Sequence, residues 1–473
     1  MILRKSGYLL LLSFFFTIVL FLFITGCANI VPPGGGPIDS IPPIMMKAIP
    51  KDSARNVTAG KIILHFNEYI ELKNTAEQVL ISPYPDKQPL IESKLKTITI
   101  RFKDSLLPNT TYTIDFGQSI ADINEGNIQK DFRFLFSTGS YIDSNFLNGR
   151  LMMAETGKTD STAWALLYKK EEDSTVWKES PAYVARVNSK GYFRFDHLPA
   201  GRYYLYGLKD ADGNKRYNQP IEAFAFLDQY IDLPADTVAK TLYAFATEKE
   251  KKREAAGQSK EKKQSENLSY QNNLQGGALG LLDTLTFSFN EKIAELNNNA
   301  VRLYEDTFPD KKQIDIRYDT VLQRFCLLSA FKQGSKYRLI FEKDFVKDSS
   351  GRTLKNNDTI RFRVKEEKEY GSLRIRFDKV DLARKPILLF YQNNELKFSF
   401  PLNDNEYYTK LFVPGGYSLA MLYDENGNGV WDTGNFFSKP RKQPEMVFAI
   451  DKEVVVKENW DNEIEIKGLI NTP

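Results

Sequence analysis

Asp424, Asn426, Asn428 and Asp432 stand at positions 1, 3, 5 and 9 of one loop, Asp424-Glu425-Asn426-Gly427-Asn428-Gly429-Val430-Trp431-Asp432, with Gly429 at position 6. Side-chain oxygens at alternating positions can turn toward one hard cation, and a central glycine permits the sharp bend. With only two carboxylates in the set, calcium would be held weakly, with a dissociation constant of ~10⁻⁴–10⁻³ M. The same residues also fit a hairpin loop whose Asx side chains accept hydrogen bonds from their own backbone. A second loop, Asp210-Ala211-Asp212-Gly213-Asn214-Lys215-Arg216, keeps the oxygens at 1, 3 and 5. It puts Lys215 where the glycine should fall, so the case for an ion is weaker there.

The other residue with a definite chemistry is Cys27. Arg4 and Lys5 precede an apolar run from Tyr8 to Ile24, and Thr25-Gly26 stand directly before the cysteine. A basic start, an apolar middle and small residues before a cleavage point read as a secretory signal. With Cys27 in place, the stretch resembles a bacterial lipoprotein signal. That resemblance implies a diacylated Cys27 and a hold on the membrane through buried acyl chain, at ~0.8 kcal/mol per CH₂. The apolar run is also about as long as a short transmembrane helix, which needs ~17–25 residues, so an uncleaved anchor is the alternative. Val31-Pro32-Pro33-Gly34-Gly35-Gly36-Pro37 then reads as a flexible spacer. The remaining cysteine, Cys326, lies in the apolar stretch Phe325-Cys326-Leu327-Leu328 and is expected to be a small buried hydrophobe without a disulfide partner.

Little else in the chain points to chemistry. There are two histidines, His65 and His197, both expected at the surface, and no G-x-S-x-G, H-E-x-x-H or C-x-x-C. Paired carboxylates can hydrolyse glycosides, but nothing in the sequence says which pair would meet. The reading therefore points away from an enzyme. A formal charge of +3 over 473 residues does not call for nucleic acid. The basic runs near 248–254 and 260–263 are interleaved with acids and read as solvated linker.

The elements that must carry these residues are strands. Ile62, Leu64 and Phe66 alternate with Lys61, Ile63 and His65, and Tyr112, Ile114 and Phe116 repeat the pattern. Short strands with turns such as Pro108-Asn109 between them suggest β-sandwiches. Four motifs in residues 44–140 are similar to bacterial Ig-like domains: Phe66-Asn67-Glu68-Tyr69-Ile70, Leu107 to Ile114, Ile120-Ala121-Asp122 and Phe134 to Thr138. The resemblance implies a β-sandwich in an extracytoplasmic structural or adhesive module. Gly191-Tyr192-Phe193-Arg194-Phe195 followed by Leu198-Pro199-Ala200-Gly201-Arg202-Tyr203 resembles transthyretin-like and collagen-adhesin B-type sandwiches.

Both patterns recur. Leu285, Phe287, Phe289, Asn290, Glu291 and Ile293 restate Ile62 to Ile70, Val413 to Leu419 restate the Pro199 turn, and Pro444 and Phe448 answer Pro220 and Phe224. The expectation is an all-β chain of tandem sandwiches, a duplicated pair. It comprises a signal at 1–26, a tether at 27–43, an Ig-like domain at 44–140 and a transthyretin-like sandwich at 141–246. A charged linker at 247–280 then leads to a second Ig-like domain at 281–367 and a second transthyretin-like sandwich at 368–473. Lipoproteins of this kind resemble those of Bacteroidota, which implies an outer-membrane location and a structural, scaffold or adhesion role. The alternative is a module for a protein or glycan partner, with Tyr203, Tyr204, Tyr407, Tyr408 and Trp177 as candidate stacking residues.

Overall fold

The computed structural model describes residues 13–15, 17, 39–248, 267–306, 308–319 and 324–468. The cleavage site, Cys27 and the tether up to 38 lie outside the described residues, as does linker segment 249–266. The chain is all-β with little helix; among the described residues from 39 on, α-helix is confined to the single turns Thr75–Gln78 and Thr175–Lys178. No helix among the described residues is long and apolar enough to cross a membrane.

The fold divides into two compact units, the first holding most of residues 39–140 and the second everything from Tyr141 on. In the first unit, Met45–Ile49, Lys61–Phe66, Thr97–Arg101 and Leu90–Lys94 form one sheet in the spatial order first, second, third, fourth as written. Arg133–Ser137, Thr111–Asp115 and Leu80–Ser82 form another. The predicted alternation holds: Ile62, Leu64 and Phe66 are buried, and Ile98, Ile100, Ile114, Phe134 and Phe136 complete the core. Asn67 closes the strand by accepting from the Ile44 amide at 2.7 Å.

The second unit holds three further sandwiches with separate cores. The middle one, from Asn267 to about Val364, repeats the first unit's plan. Leu285–Phe289 lies between Tyr270–Asn272 and Arg324–Leu328, and Asn290 accepts from the Ser269 amide at 2.9 Å as Asn67 does from Ile44. This corrects the linker expected to run to 280. Residues 267–280 contribute two strands, Tyr270–Asn272 and Ala278–Leu279. Leu268, Ala278 and Leu279 are buried, and Tyr270 packs edge-on against Phe287 and Phe341. So few apolar residues suffice here because each one faces the core. Cys326 is half-buried rather than buried, since the register turns Phe325 and Leu327 inward instead.

The two flanking sandwiches share a topology. In one, Asn145–Met153 runs antiparallel to Tyr192–Leu198 and parallel to Lys240–Ala244. In the other, Gly371–Phe377 runs antiparallel to Glu406–Phe412 and parallel to Asp461–Ile466. Each repeats a tyrosine that donates to the carbonyl four residues upstream, Tyr203 to Pro199 and Tyr417 to Val413, both at 3.0 Å.

These two sandwiches are not links in an extended series. They pack on each other, and Phe436 of the later one is the peg. It is 1% exposed, and its ring meets Tyr206, Phe224 and Phe226 of the earlier sandwich at centroid distances of 5.8, 5.1 and 5.2 Å. Arg441 pairs with Asp173 and lies 4.5 Å over the Phe436 ring. Thr433 donates to the Ala246 carbonyl at 3.0 Å, and the Val447 amide to the Ala154 carbonyl at 2.9 Å. Gly157 is required at this joint: a Cβ there would sit 2.4 Å from the Val447 carbonyl oxygen.

The middle sandwich meets the last through an Arg363–Glu369 fork, with two bonds of 2.5 and 2.7 Å. The Arg363 guanidinium, helped by the Glu366 amide, pulls Glu369 down to about 2. A carboxylate lowered on folding stabilises the fold above its unfolded value, and that contribution is lost as pH falls through the folded one. The transition of this joint should therefore lose stability between about pH 4.5 and 2. In thermal melts against pH, Glu369→Gln should flatten the slope across that window and leave the slope above pH 6 unchanged.

Candidate functional site

The four predicted oxygens do meet in one loop, but most of them face the loop's own backbone. Asp424 is 2% exposed. Its Oδ1 accepts from the amides of Gly427 at 2.7 Å and Asn428 at 3.2 Å, and its Oδ2 from Gly429 at 2.7 Å. Asn426 Oδ1 accepts from the Asn428 amide and Asn428 Oδ1 from the Val430 amide, both at 2.9 Å. Both Asn side-chain amides point at Asp432 Oδ2, Asn428 at 3.0 Å. Asp432 alone keeps a carboxylate oxygen outside this network among the described residues.

A residue the sequence reading missed completes the loop. Glu445, 7% exposed, accepts from the Glu425 and Asp432 amides, each at 3.0 Å, and so ties the two ends of the loop together. Trp431 is half-buried and donates its indole N–H to the Glu445 carbonyl at 2.7 Å. Burial pushes the Glu445 carboxyl up, and the Asp424 and Asp432 charges push the same way against the Asp432 and Asn426 amides.

The earlier loop is built alike. Asp210 accepts from the Gly213 and Lys215 amides at 2.8 and 3.0 Å, and the buried Glu222 accepts from Ala211, Asn218 and Gln219. Glu222 and Glu445 are structural equivalents. Lys209 faces Ala223 and Leu208 faces Phe224, whereas Leu422 faces Val447 and the Tyr423 amide donates to Met446. The expected match of Phe224 with Phe448 is thus one residue out: the strand before the loop is offset by 214 and the strand after it by 223, so the later loop is nine residues longer.

The difference between the two loops that bears on charge falls at the sixth position. Lys215 lies in the left-handed region at φ +61 and brings its ammonium 2.9 Å from Asp210 Oδ2, with both side chains largely buried. The equivalent residue, Gly429, has φ +83 and no side chain. The nearest lysine, Lys385, donates instead to the Glu425 carbonyl at 3.2 Å. Asp210, Asp212 and Glu222 are the carboxylates that converge on one point, each offering an oxygen within 4.8 Å of the others, and Lys215 already supplies positive charge there.

Of the candidate stacking residues, Tyr203 is core at 1% exposed, while Trp177 and Tyr408 are 45% and 48% exposed. Tyr204 donates to Glu171 at 3.2 Å, and Tyr407 packs on Phe400 at 4.9 Å. Arg374 lies 4.3 Å over the Tyr408 ring. His65 is half-buried and 3.1 Å from the Thr97 hydroxyl. His197 is also half-buried, at φ +57, with Nδ1 2.9 Å from the Asp143 carbonyl. Its role is to hold the turn, which corrects the expected surface position.

Residues 39–138 match the model of the bacterial Ig-like domain. This Ig-like domain covers the segment in which Asn67 and Asp122 close strand ends. Asp122 is buried and accepts from the amides of Glu125, Gly126 and Asn127, a role that Asp348 repeats in the middle sandwich with Ser350 and Arg352. No curated protein sequence matches the chain. Among solved structures, the chain is similar to the N-terminal part of the bacterial S-layer protein SbsC, with 12% identity and a TM-score of 0.16, covering 44% of this chain and 45% of that one. It is also similar to the TIE protein of Bacillus anthracis, with 13% identity and a TM-score of 0.17, covering 92% and 75%. BcpA, the major pilin subunit of Bacillus cereus, gives 9% identity and a TM-score of 0.17, covering 69% and 99%.

Proposed function

We propose that this chain is a non-enzymatic envelope lipoprotein, held to the outer membrane through an acylated Cys27, whose sandwiches serve as scaffold or adhesion modules. The observation that carries this reading is the Phe436 joint: it makes the paired sandwiches, which we read as transthyretin-like, into one stiff block. The Ig-like domain at 39–138 and the lipobox-like Thr25-Gly26-Cys27 agree with it. In membrane fractionation, the Cys27→Ala variant should leave the outer-membrane fraction while its thermal transitions stay unchanged. If that variant remains membrane-bound, the apolar run is the anchor instead.

We also propose that the Asp424 loop takes a weakly held calcium ion on Asp424, Asn426, Asn428 and Asp432. What favours it is the contrast between Lys215 and Gly429: the earlier loop carries its own cation on Asp210, while the equivalent position beside Asp424 is a glycine with no side chain. Millimolar calcium should raise the melting temperature of the block, and Gly429→Lys should abolish the response. An unchanged melting temperature in the parent chain removes the ion.

A further inference from the structure

An open cleft of about 1620 Å³ runs between the two docked sandwiches, and neither the scaffold reading nor the calcium loop uses it. One wall is formed by Arg150, Met152, Thr241 and Tyr243, from strands Asn145–Met153 and Lys240–Ala244. The other carries Tyr391, Asn394 and Phe448. Small-molecule pockets are ~300–1,000 Å³ and mostly enclosed, so a cleft this size and this open suits several units of a chain.

The charges of the lining decide which chain. Lys467 pairs with Glu465 at 3.4 Å, and Lys452 donates to the Glu465 carbonyl at 2.7 Å. Lys158 donates to Asn394 at 3.1 Å. Arg150 has no carboxylate partner among the described residues; its Nε is buried and makes no hydrogen bond. Its guanidinium lies 5.6 Å over the Tyr192 ring, which holds it in place without satisfying its donors. Beside it the Tyr243 hydroxyl makes no hydrogen bond among the described residues, and Arg150 and Arg384 both act on it against the upward push of burial. Arg384 is itself 3.5 Å from the exposed Glu425. Nε is closed to the cleft, but Arg150 lines it, and the rest of its guanidinium fork, without a carboxylate partner among the described residues, matches a planar oxyanion best.

We propose that this cleft binds an acidic oligosaccharide, one whose carboxylates are spaced among neutral rings, with a carboxylate on Arg150 and Tyr243 and sugar faces on Tyr391 and Phe448. Asp451, Glu453 and Glu465 share the lining, which disfavours a uniformly charged chain such as polyglutamate. The half-buried tyrosine faces, with Asn394 and Thr156 beside them, suit hydroxylated rings, which present an apolar face and polar edges.

The test is calorimetry of the full chain in detergent with a hyaluronan decasaccharide as probe, against maltodecaose and a polyglutamate of equal charge. The decasaccharide should bind, with both comparators at least tenfold weaker. Arg150→Gln should weaken it about tenfold or more, as expected when a charge-assisted fork is lost, and Tyr391→Ala should weaken it as well. Arg150→Gln should keep the parent's melting temperature, whereas Tyr391 packs on the cluster of Ile387, Leu389 and Leu422, so Tyr391→Ala should melt lower and its binding is read below its own transition. Equal binding of polyglutamate or of maltodecaose, indifference to Arg150→Gln, or no heat with the decasaccharide at millimolar concentration would each overturn the proposal.

Discussion

Replacing Phe436 with alanine should split the docked block into two independently melting sandwiches. The side chain is almost wholly buried, and it fills a pocket of three aromatic rings that belong to the other sandwich. Truncating a buried phenylalanine costs ~3–5 kcal/mol, and here the whole loss falls on the joint. What would remain is the half-exposed Phe437 ring stacked on Tyr217, the Arg441–Asp173 pair, partly exposed on both sides, and hydrogen bonds such as Thr433 to the Ala246 carbonyl, the Val447 amide to Ala154 and Gln443 to the Phe226 carbonyl. Exposed ion pairs contribute only ~0–1 kcal/mol, so they should not hold the block closed. Scanning calorimetry should show one transition for the parent block and two for Phe436→Ala. Phe436→Leu, which refills most of the volume, should stay closer to the parent.

The second large effect should come from Asp424→Ala. Its carboxylate accepts from three backbone amides inside a nine-residue loop. Each amide left without an acceptor costs ~1–3 kcal/mol where water cannot replace it. Part of the loop is exposed, so a total near ~3 kcal/mol is expected. For a sandwich of about 100 residues that is a fall of roughly 10 °C or more in the transition. Because the same loop delivers Phe436, the joint should loosen as well. Asp432→Ala removes a side chain that serves only two Asn side-chain amides and should cost well under half as much. If the two substitutions prove equal, the loop is not held together by Asp424.

The strand pattern was legible because alternation leaves no choice of face: Ile62, Leu64 and Phe66 must point one way, and they do. The duplication was legible for the same reason, through Phe287 and Phe289. The start of the middle sandwich was not, because Leu268, Tyr270 and Leu279 are too scattered to look periodic. Projecting Met45–Ile49 through the repeat would have placed a strand near 268–272. The docking was the hardest to foresee. Phe436 and Phe437 sit in a Gly-, Asn- and Pro-rich loop with no strand of their own to bury them. Two adjacent phenylalanines in such a loop signal a distant surface, but they do not name it. Likewise Glu445 lies 21 residues from Asp424, too far for any local motif to join them.

The central claim is that the two sandwiches hold each other through the Phe436 joint and do not depend on the charged segment between 249 and 266. A specific protease site placed in that segment, cut in the purified chain, tests this most directly by size exclusion. The cut halves should elute together at the position of the intact chain, and the same cut in Phe436→Ala should separate them. Separation of the halves in the parent chain would contradict the account.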